Sequence, residues 1–466
     1  MNNYAIIETP EMMDPQRRRA IFSMRYALYF FSWLCMWQGW EVGGSIFQLN
    51  FLSNLIPLPV FLHELVLLLT LVLLIMERML SGDLTFSRSY FSAPIMLMGF
   101  ALVFSWIHGM IIRQQFTYVY EGHESIMIVP SFYIILNIFR SKEERKLLLV
   151  LFLFATIMKS ADSTWVKFFS SDTQKSWGTV LFWRDGFLLC MGIVGSLIII
   201  QYNGKQFRWL RTTMICFFPL ILYGLIVSYR RTFFLALLAS AIAMFITIGK
   251  GRRKKQAWIF LGLLVCTLIF VFVTDPVGII ARTVGGVFQP KEEGSSYIRL
   301  MEYPNILQNI YHNPIFGVPI GTQWFQYYRM PVFANFTTLG CHNTYLYWPL
   351  RTGIIGTIGF LWLLLRIWKA LIINTALQRT EEDFLMNQIL IHSMIVYNFA
   401  SFFGLMYSDA MNIMTGFILI MIQLQMKHES GMLSYKDINI WQTWRRKEIV
   451  LRKPDKLLQP VNIAAS

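Results

Sequence analysis

Residues 341–347, Cys-His-Asn-Thr-Tyr-Leu-Tyr, set a proton acceptor and an amide side by side where a long polar segment meets an apolar run. An imidazole at such a boundary can take a proton from a hydroxyl, and an amide beside it can orient a reacting group or cap a helix. His342 is the candidate general base. Asn343 by itself reads as an N-cap, and Tyr345 by itself as an interfacial ring. The same dipeptide recurs at His312-Asn313, but inside the polar segment and directly before Pro314. Five arginines lie in or near that segment: Arg282, Arg299 and Arg329 within it, and Arg230-Arg231 in a tight turn between two earlier apolar runs. A guanidinium fork binds phosphate bidentately and keeps its charge. Two readings of Arg230-Arg231 stand, contact with lipid headgroups or a clamp for an anion such as a lipid diphosphate. His342 is expected to meet positive charge there, which favours the neutral, proton-accepting ring.

These residues need a scaffold, and the composition says which. Apolar residues make up 55% of the 466, and the mean hydropathy is +0.49. The apolar residues fall in runs of about 20, the length that crosses a hydrocarbon core of about 30 Å as a helix. Strict alternation, the mark of a membrane barrel, is absent. The chain reads as all-α, a polytopic integral membrane protein of about 12 transmembrane helices. They are expected at 26–40, 54–76, 91–112, 125–139, 147–166, 184–202, 209–228, 232–249, 257–274, 344–366, 386–408 and 410–426. The resulting organisation is a cytoplasmic N-terminus over 1–25, helices 1–9 over 26–274, one large outside loop over 275–343, helices 10–12 over 344–426, and a basic cytoplasmic tail over 427–466.

Orientation follows from the cations. With the N-terminus inside, 29 of the 41 Lys and Arg residues fall on inside segments, the run Gly-Lys-Gly-Arg-Arg-Lys-Lys at 249–255 foremost. Both termini are then expected in the cytoplasm. This also explains the net charge of +15 by membrane lipids as partners, without a nucleic acid. The first 20 residues are polar, so no cleavable leader is expected. The five cysteines show no metal spacing.

The outside loop is out of proportion to the others, and loops of that length are functional or disordered. Its aromatic content argues for order. Within it, residues 295–311 space apolar side chains at Ile298, Met301, Ile306, Ile310 and Tyr311, which suits a helix on the membrane surface, bent at Pro304. Gly-Ile-Ile-Gly-Thr-Ile-Gly at 353–359 puts small residues at the spacing of close helix packing. Arg351 must pair or snorkel within its helix.

Three segments together resemble the family of O-antigen ligases and O-antigen polymerases: SYRRTFFLALLAS at 228–240, YIRLMEYPNILQNIYHNPIFGVPIG at 297–321, and CHNTYLYWPLRTGIIGTIGFL at 341–361. The likeness covers about residues 215–365. It implies a glycosyltransferase-C-like membrane enzyme that takes a glycan from undecaprenyl diphosphate on the outer face of the bacterial inner membrane. The acceptor would be a growing glycan or lipid A core, and no metal or other cofactor is required in the family's usual mechanism. Carried over, Arg231 and Arg299 contact the diphosphate, with Arg230 and Arg282 as further candidates. His342 activates the acceptor hydroxyl, and Asn343 and Tyr345 shape the site. Cys341, Pro319 and Arg351 depart from the family pattern. The competing class is a small-solute transporter on the same membrane domain, which should show paired, broken helices in two halves; none are visible.

Overall fold

A computed structural model describes residues 14–37, 62–83, 87, 89–112, 122–141, 143–169, 183–202, 207–227, 231–247, 258, 261–262, 265, 294–330, 341–377, 380–402 and 409–430. Among these, helix is the only regular structure. The helices are α1 (Pro15–Trp37), α2 (Leu62–Ser81), α3 (Ser92–Ile112), a 3-10 turn (Gly122–Met127) running into α4 (Ile128–Ile138), α5 (Glu144–Phe169), α6 (Trp183–Gln201), α7 (Arg208–Val227), α8 (Arg231–Thr247), α9 (Gly294–His312), α10 (Thr344–Leu377), α11 (Glu381–Ser401) and α12 (Asp409–Ser430).

Four of them, α3, α5, α7 and α10, are long and apolar enough to cross a membrane. They carry large apolar side chains on the outer surface of the bundle, among them Phe100, Ile111, Phe217 and Leu365. Apolar exposure on this scale needs lipid as its solvent. The chain is therefore a helical membrane protein, as its composition predicts.

Boundaries differ from expectation at several helices, α1, α10 and α11 among them. α1 starts at Pro15, with Asp14 accepting from the Arg17 amide at 3.4 Å, so Arg17, Arg18 and Arg19 are helical and the expected boundary at 25 falls inside the helix. Proline suits a first turn because its missing N–H has no helical partner there. α10 runs past Arg366 to Leu377, because Arg366 stacks over Tyr90 and Trp362 and donates to the Tyr90 carbonyl. α11 begins at Glu381, earlier than expected, under a capping box formed by Thr380 and Asp383. The expected helix at 257–274 lies largely outside the described residues.

The pairings that build the bundle are α10 on α3, α7 on α5 and α6, α8 on α11, α6 on α11, and α12 on α4. Gly359 brings α10 against α3, where an added Cβ would stand 3.1 Å from the Met98 amide nitrogen. The packing expected of the small-residue stretch is thus present. One end of the bundle is tied by ion pairs: Arg25 to Glu144 at 2.5 Å, Arg145 to Glu382 and Asp383 at 2.8 and 3.0 Å, and Arg140 to Asp83 at 2.7 Å. The start of α10, with His342 just before it, lies at the opposite end.

Candidate active site

The polar segment before α10 is ordered around α9. The face of α9 turned to the protein carries Glu302, Asn305, Ile306 and Asn309, all buried. Ile298, Met301 and Ile310 also pack against the core. The apolar spacing serves packing within the protein, and the exposed stripe is Leu300, Leu307 and Tyr311.

Glu302 is the residue that sequence reasoning missed. Its side chain is 0% exposed, and both of its oxygens go to His342. Oε1 accepts from the His342 backbone N–H at 2.8 Å, and Oε2 accepts from Nδ1 at 2.7 Å. A carboxylate can only accept, so the proton on that side belongs to Nδ1, which leaves Nε2 as the basic nitrogen. The His342 side chain is 41% exposed. The ring is thus held at its inner edge by a buried anion and open at its outer edge. Among the described residues, the charged group in contact with the imidazole is a carboxylate. A sequence signal existed, since an acid and two amides recur at helical spacing along 302–309 opposite Leu300 and Leu307.

Arg299 stands one helical turn before Glu302 on α9. Its Nε is buried and has no hydrogen-bond partner among the described residues. Burial pulls its pKa down, and Tyr303 and Glu302 pull it up. A partly desolvated guanidinium with an unused donor is an anion site in waiting. Arg231 is the first residue of α8, but its side chain, and the whole of Arg230 and Arg282, lie outside the described part. Nearby, Phe233 of α8 packs on α6, its carbonyl accepting from the Cys190 thiol at 3.6 Å.

Asn343 caps α10. Its Oδ1 accepts from the backbone N–H of Tyr345 at 2.9 Å and of Leu346 at 3.2 Å, which fixes the helix start directly after His342. Tyr345 ties α10 to α11: its hydroxyl donates to Asn398 Oδ1 at 3.0 Å, and its ring lies 4.5 Å from Phe402. Both residues hold the frame of the imidazole. Cys341 is buried, its thiol donating to the Asn343 carbonyl at 3.1 Å, and burial beside Glu302 pushes its pKa up. A neutral, enclosed thiol is no nucleophile.

Behind this turn the segment 313–322 wedges into a break in α10. Pro349 removes one helical donor, and Gly353 turns the backbone to φ 60°, ψ −154°. The freed groups are taken up by the wedge: Leu350 O accepts from Val318 N at 2.6 Å, and Ile354 N donates to Pro314 O at 3.0 Å. Arg351 is 1% exposed and donates to the carbonyls of Thr322 and Pro319 at 2.8 and 3.0 Å. Its partners are therefore loop carbonyls rather than lipid phosphates. Ser105 of α3 closes the junction, donating to the Arg351 carbonyl at 2.5 Å and accepting from Ile320 N at 3.1 Å. Non-helical backbone survives among apolar helices only when each polar group is satisfied this way. Because α9 runs straight into the wedge, the junction also sets where Glu302 meets His342.

A buried carboxylate, an oriented imidazole with its far nitrogen open, and a guanidinium one turn away form a set that can deprotonate a hydroxyl beside an anionic leaving group. Comparison with curated proteins gives no match. Residues 215–361, from within α7 to within α10, match the family model described as O-antigen ligase, so this stretch of the membrane protein is similar to that family.

Proposed function

We propose that the chain is a glycosyltransferase that moves or polymerises glycan from undecaprenyl diphosphate on the outer face of the bacterial inner membrane, as a surface-polysaccharide polymerase or ligase. In this reading about twelve helices cross the membrane, both termini are cytoplasmic, and α9 with the wedge belongs to the periplasmic loop. The observation that carries it is the His342–Glu302 pair beside Arg299 at the start of α10.

The acceptor hydroxyl gives its proton to Nε2 of His342 as its oxygen bonds to the anomeric carbon of the donor. The bond from that carbon to the diphosphate oxygen breaks, and its electron pair leaves on the diphosphate. Arg299 and Arg231 offset the charge that develops there, and one direct displacement inverts the anomeric centre. Glu302 keeps Nδ1 protonated and offsets the charge that the ring gains.

The test is a deletion strain complemented with wild type or His342→Ala at matched membrane expression. The expected result is loss of the glycan product and accumulation of the diphosphate-linked precursor. Single repeats on the lipid core then mark a lost polymerase, and free polymer marks a lost ligase. Unchanged glycans in the deletion strain itself would overturn the reading.

Arg299→Gln is expected to raise KM for the lipid-linked donor about ten- to hundred-fold, the span of a charge-assisted hydrogen bond worth about 1.5–3 kcal/mol. Arg299→Lys keeps the charge without the fork, so it loses less. Equal losses in both variants, measured as initial rates against donor concentration in proteoliposomes, would argue against a bidentate diphosphate contact.

A further inference from the structure

The end of α9 and the loop that follows the wedge carry a ridge of rings that the transfer chemistry does not use. His312, the last residue of α9, stacks on Tyr327 with centroids 5.2 Å apart and planes at 17°. Phe325 meets Tyr327 edge-on at 4.8 Å. Phe325 is 66% exposed and Tyr327 40%.

The loop holding these rings is fixed by two side-chain amides of α9. Asn309 donates to the Phe325 carbonyl at 2.6 Å and accepts from its N–H at 2.9 Å. Asn305 does the same for Tyr328, at 2.9 and 2.7 Å. Each amide thus replaces one rung of a strand ladder, so the rings stand on a rigid frame. The exposed apolar face of α9 is a different one. It carries Leu300 and Leu307 and ends at Tyr311, which meets His312 edge-on at 5.3 Å, and His312 lies about 120° round the helix from Leu300. Around the ridge the exposed neighbours include two amides, Asn313 and Gln323, two further rings, Tyr311 and Tyr328, and the guanidinium residue Arg329.

We propose that this ridge binds the sugar chain of the substrate beyond the residue being transferred. Ring faces carry negative charge density and attract the polarised C–H face of a pyranose. Amides and an imidazole beside them hydrogen-bond its hydroxyls. The ridge is continuous with the site through α9, about 15 Å along the helix from Glu302, a separation that a chain of a few sugars bridges. The inference rests on the glycan-transfer reading, and donor and acceptor glycan share the chemistry described.

The test is binding, so that it stands apart from catalysis. The probe is lipid-free oligosaccharide released by mild acid from the host strain's own surface polysaccharide. It is titrated against full-length His342→Ala protein in micelles and followed by saturation-transfer NMR. Adding Phe325→Ala and Tyr327→Ala is expected to weaken binding about tenfold with an unchanged melting temperature. Kinetics in the His342 background then assign the source: a KM rise for long-chain donor alone marks donor glycan, and one for acceptor alone marks acceptor glycan. Undiminished oligosaccharide binding by the ring variants would overturn the proposal, as would a loss confined to binding of anionic vesicles, which would mark a headgroup belt. If His342→Ala leaves cellular glycans intact while the ring variants still lose oligosaccharide binding, the transfer mechanism fails and the ridge stands.

Discussion

Glu302→Gln lowers the rate of glycan transfer by about 10²- to 10⁴-fold, the range for losing the group that orients a catalytic histidine. Glu302 gives one oxygen to the His342 backbone and the other to Nδ1. A glutamine offers a single acceptor and an NH₂ that must face one of the same two donors. Either the turn loses its anchor, or the ring loses the partner that keeps its proton on Nδ1. The developing imidazolium also loses its counter-charge. The loss should appear in kcat, with KM for the lipid-linked donor changed by less than a few fold, because the Glu302 side chain is fully buried behind His342 and does not reach the donor. A purely structural Glu302 predicts the reverse pattern: poor membrane yield and a lowered melting temperature, with near wild-type turnover per folded molecule. Glu302→Asp keeps the charge on a shorter stem and should recover part of the rate.

The fold was largely legible because runs of apolar residues near the bilayer's thickness permit few architectures. The start of α10 was legible to the residue, since Asn343 is an N-cap type placed just before an apolar run. Of the two outcomes open to Arg351, pairing or snorkelling, the structure shows pairing, with loop carbonyls as partners. The end of α10 was less legible: it was expected at 366, and the helix continues to Leu377, with Arg366 stacked on Tyr90 and Trp362. Likewise the spacing of 295–311 says that α9 has an apolar side, but not whether lipid or protein covers it. Part of the partner surface comes from α10, which starts only at Thr344. Glu302 was hidden by the same gap. An acid on the packed face of a helix has meaning only once the group opposite is known, and His342 is 40 residues away.

Gly353→Val is expected to cost more than about 3 kcal/mol and to leave little folded protein in the membrane, because two penalties fall on one atom. The φ of 60° at Gly353 disfavours any side chain. A Cβ there would also overlap the Ile315 carbonyl and approach the Phe316 amide nitrogen to 2.7 Å. Both obstacles are backbone, so no side chain can swing away. The partner position behaves the same way: Gly317 has φ 71°, and its Cβ would meet the Leu350 carbonyl at 2.6 Å. These two glycines let the wedge come close enough for Val318 to donate to Leu350 and for Arg351 to reach Pro319 and Thr322. Gly109→Ala probes the wedge from α3, where an added Cβ would strike the Ile320 carbonyl. Gly262, with open space around it, is the control, and its alanine variant should melt as wild type does. Melting temperatures in detergent that fall for Gly353→Ala, Gly317→Ala and Gly109→Ala but not for Gly262→Ala would establish the wedge. Equal melting for all four would mean that α10 does not depend on it. Since α9 enters the wedge directly, partly folded survivors should also lose transfer rate, as Glu302 slips from His342.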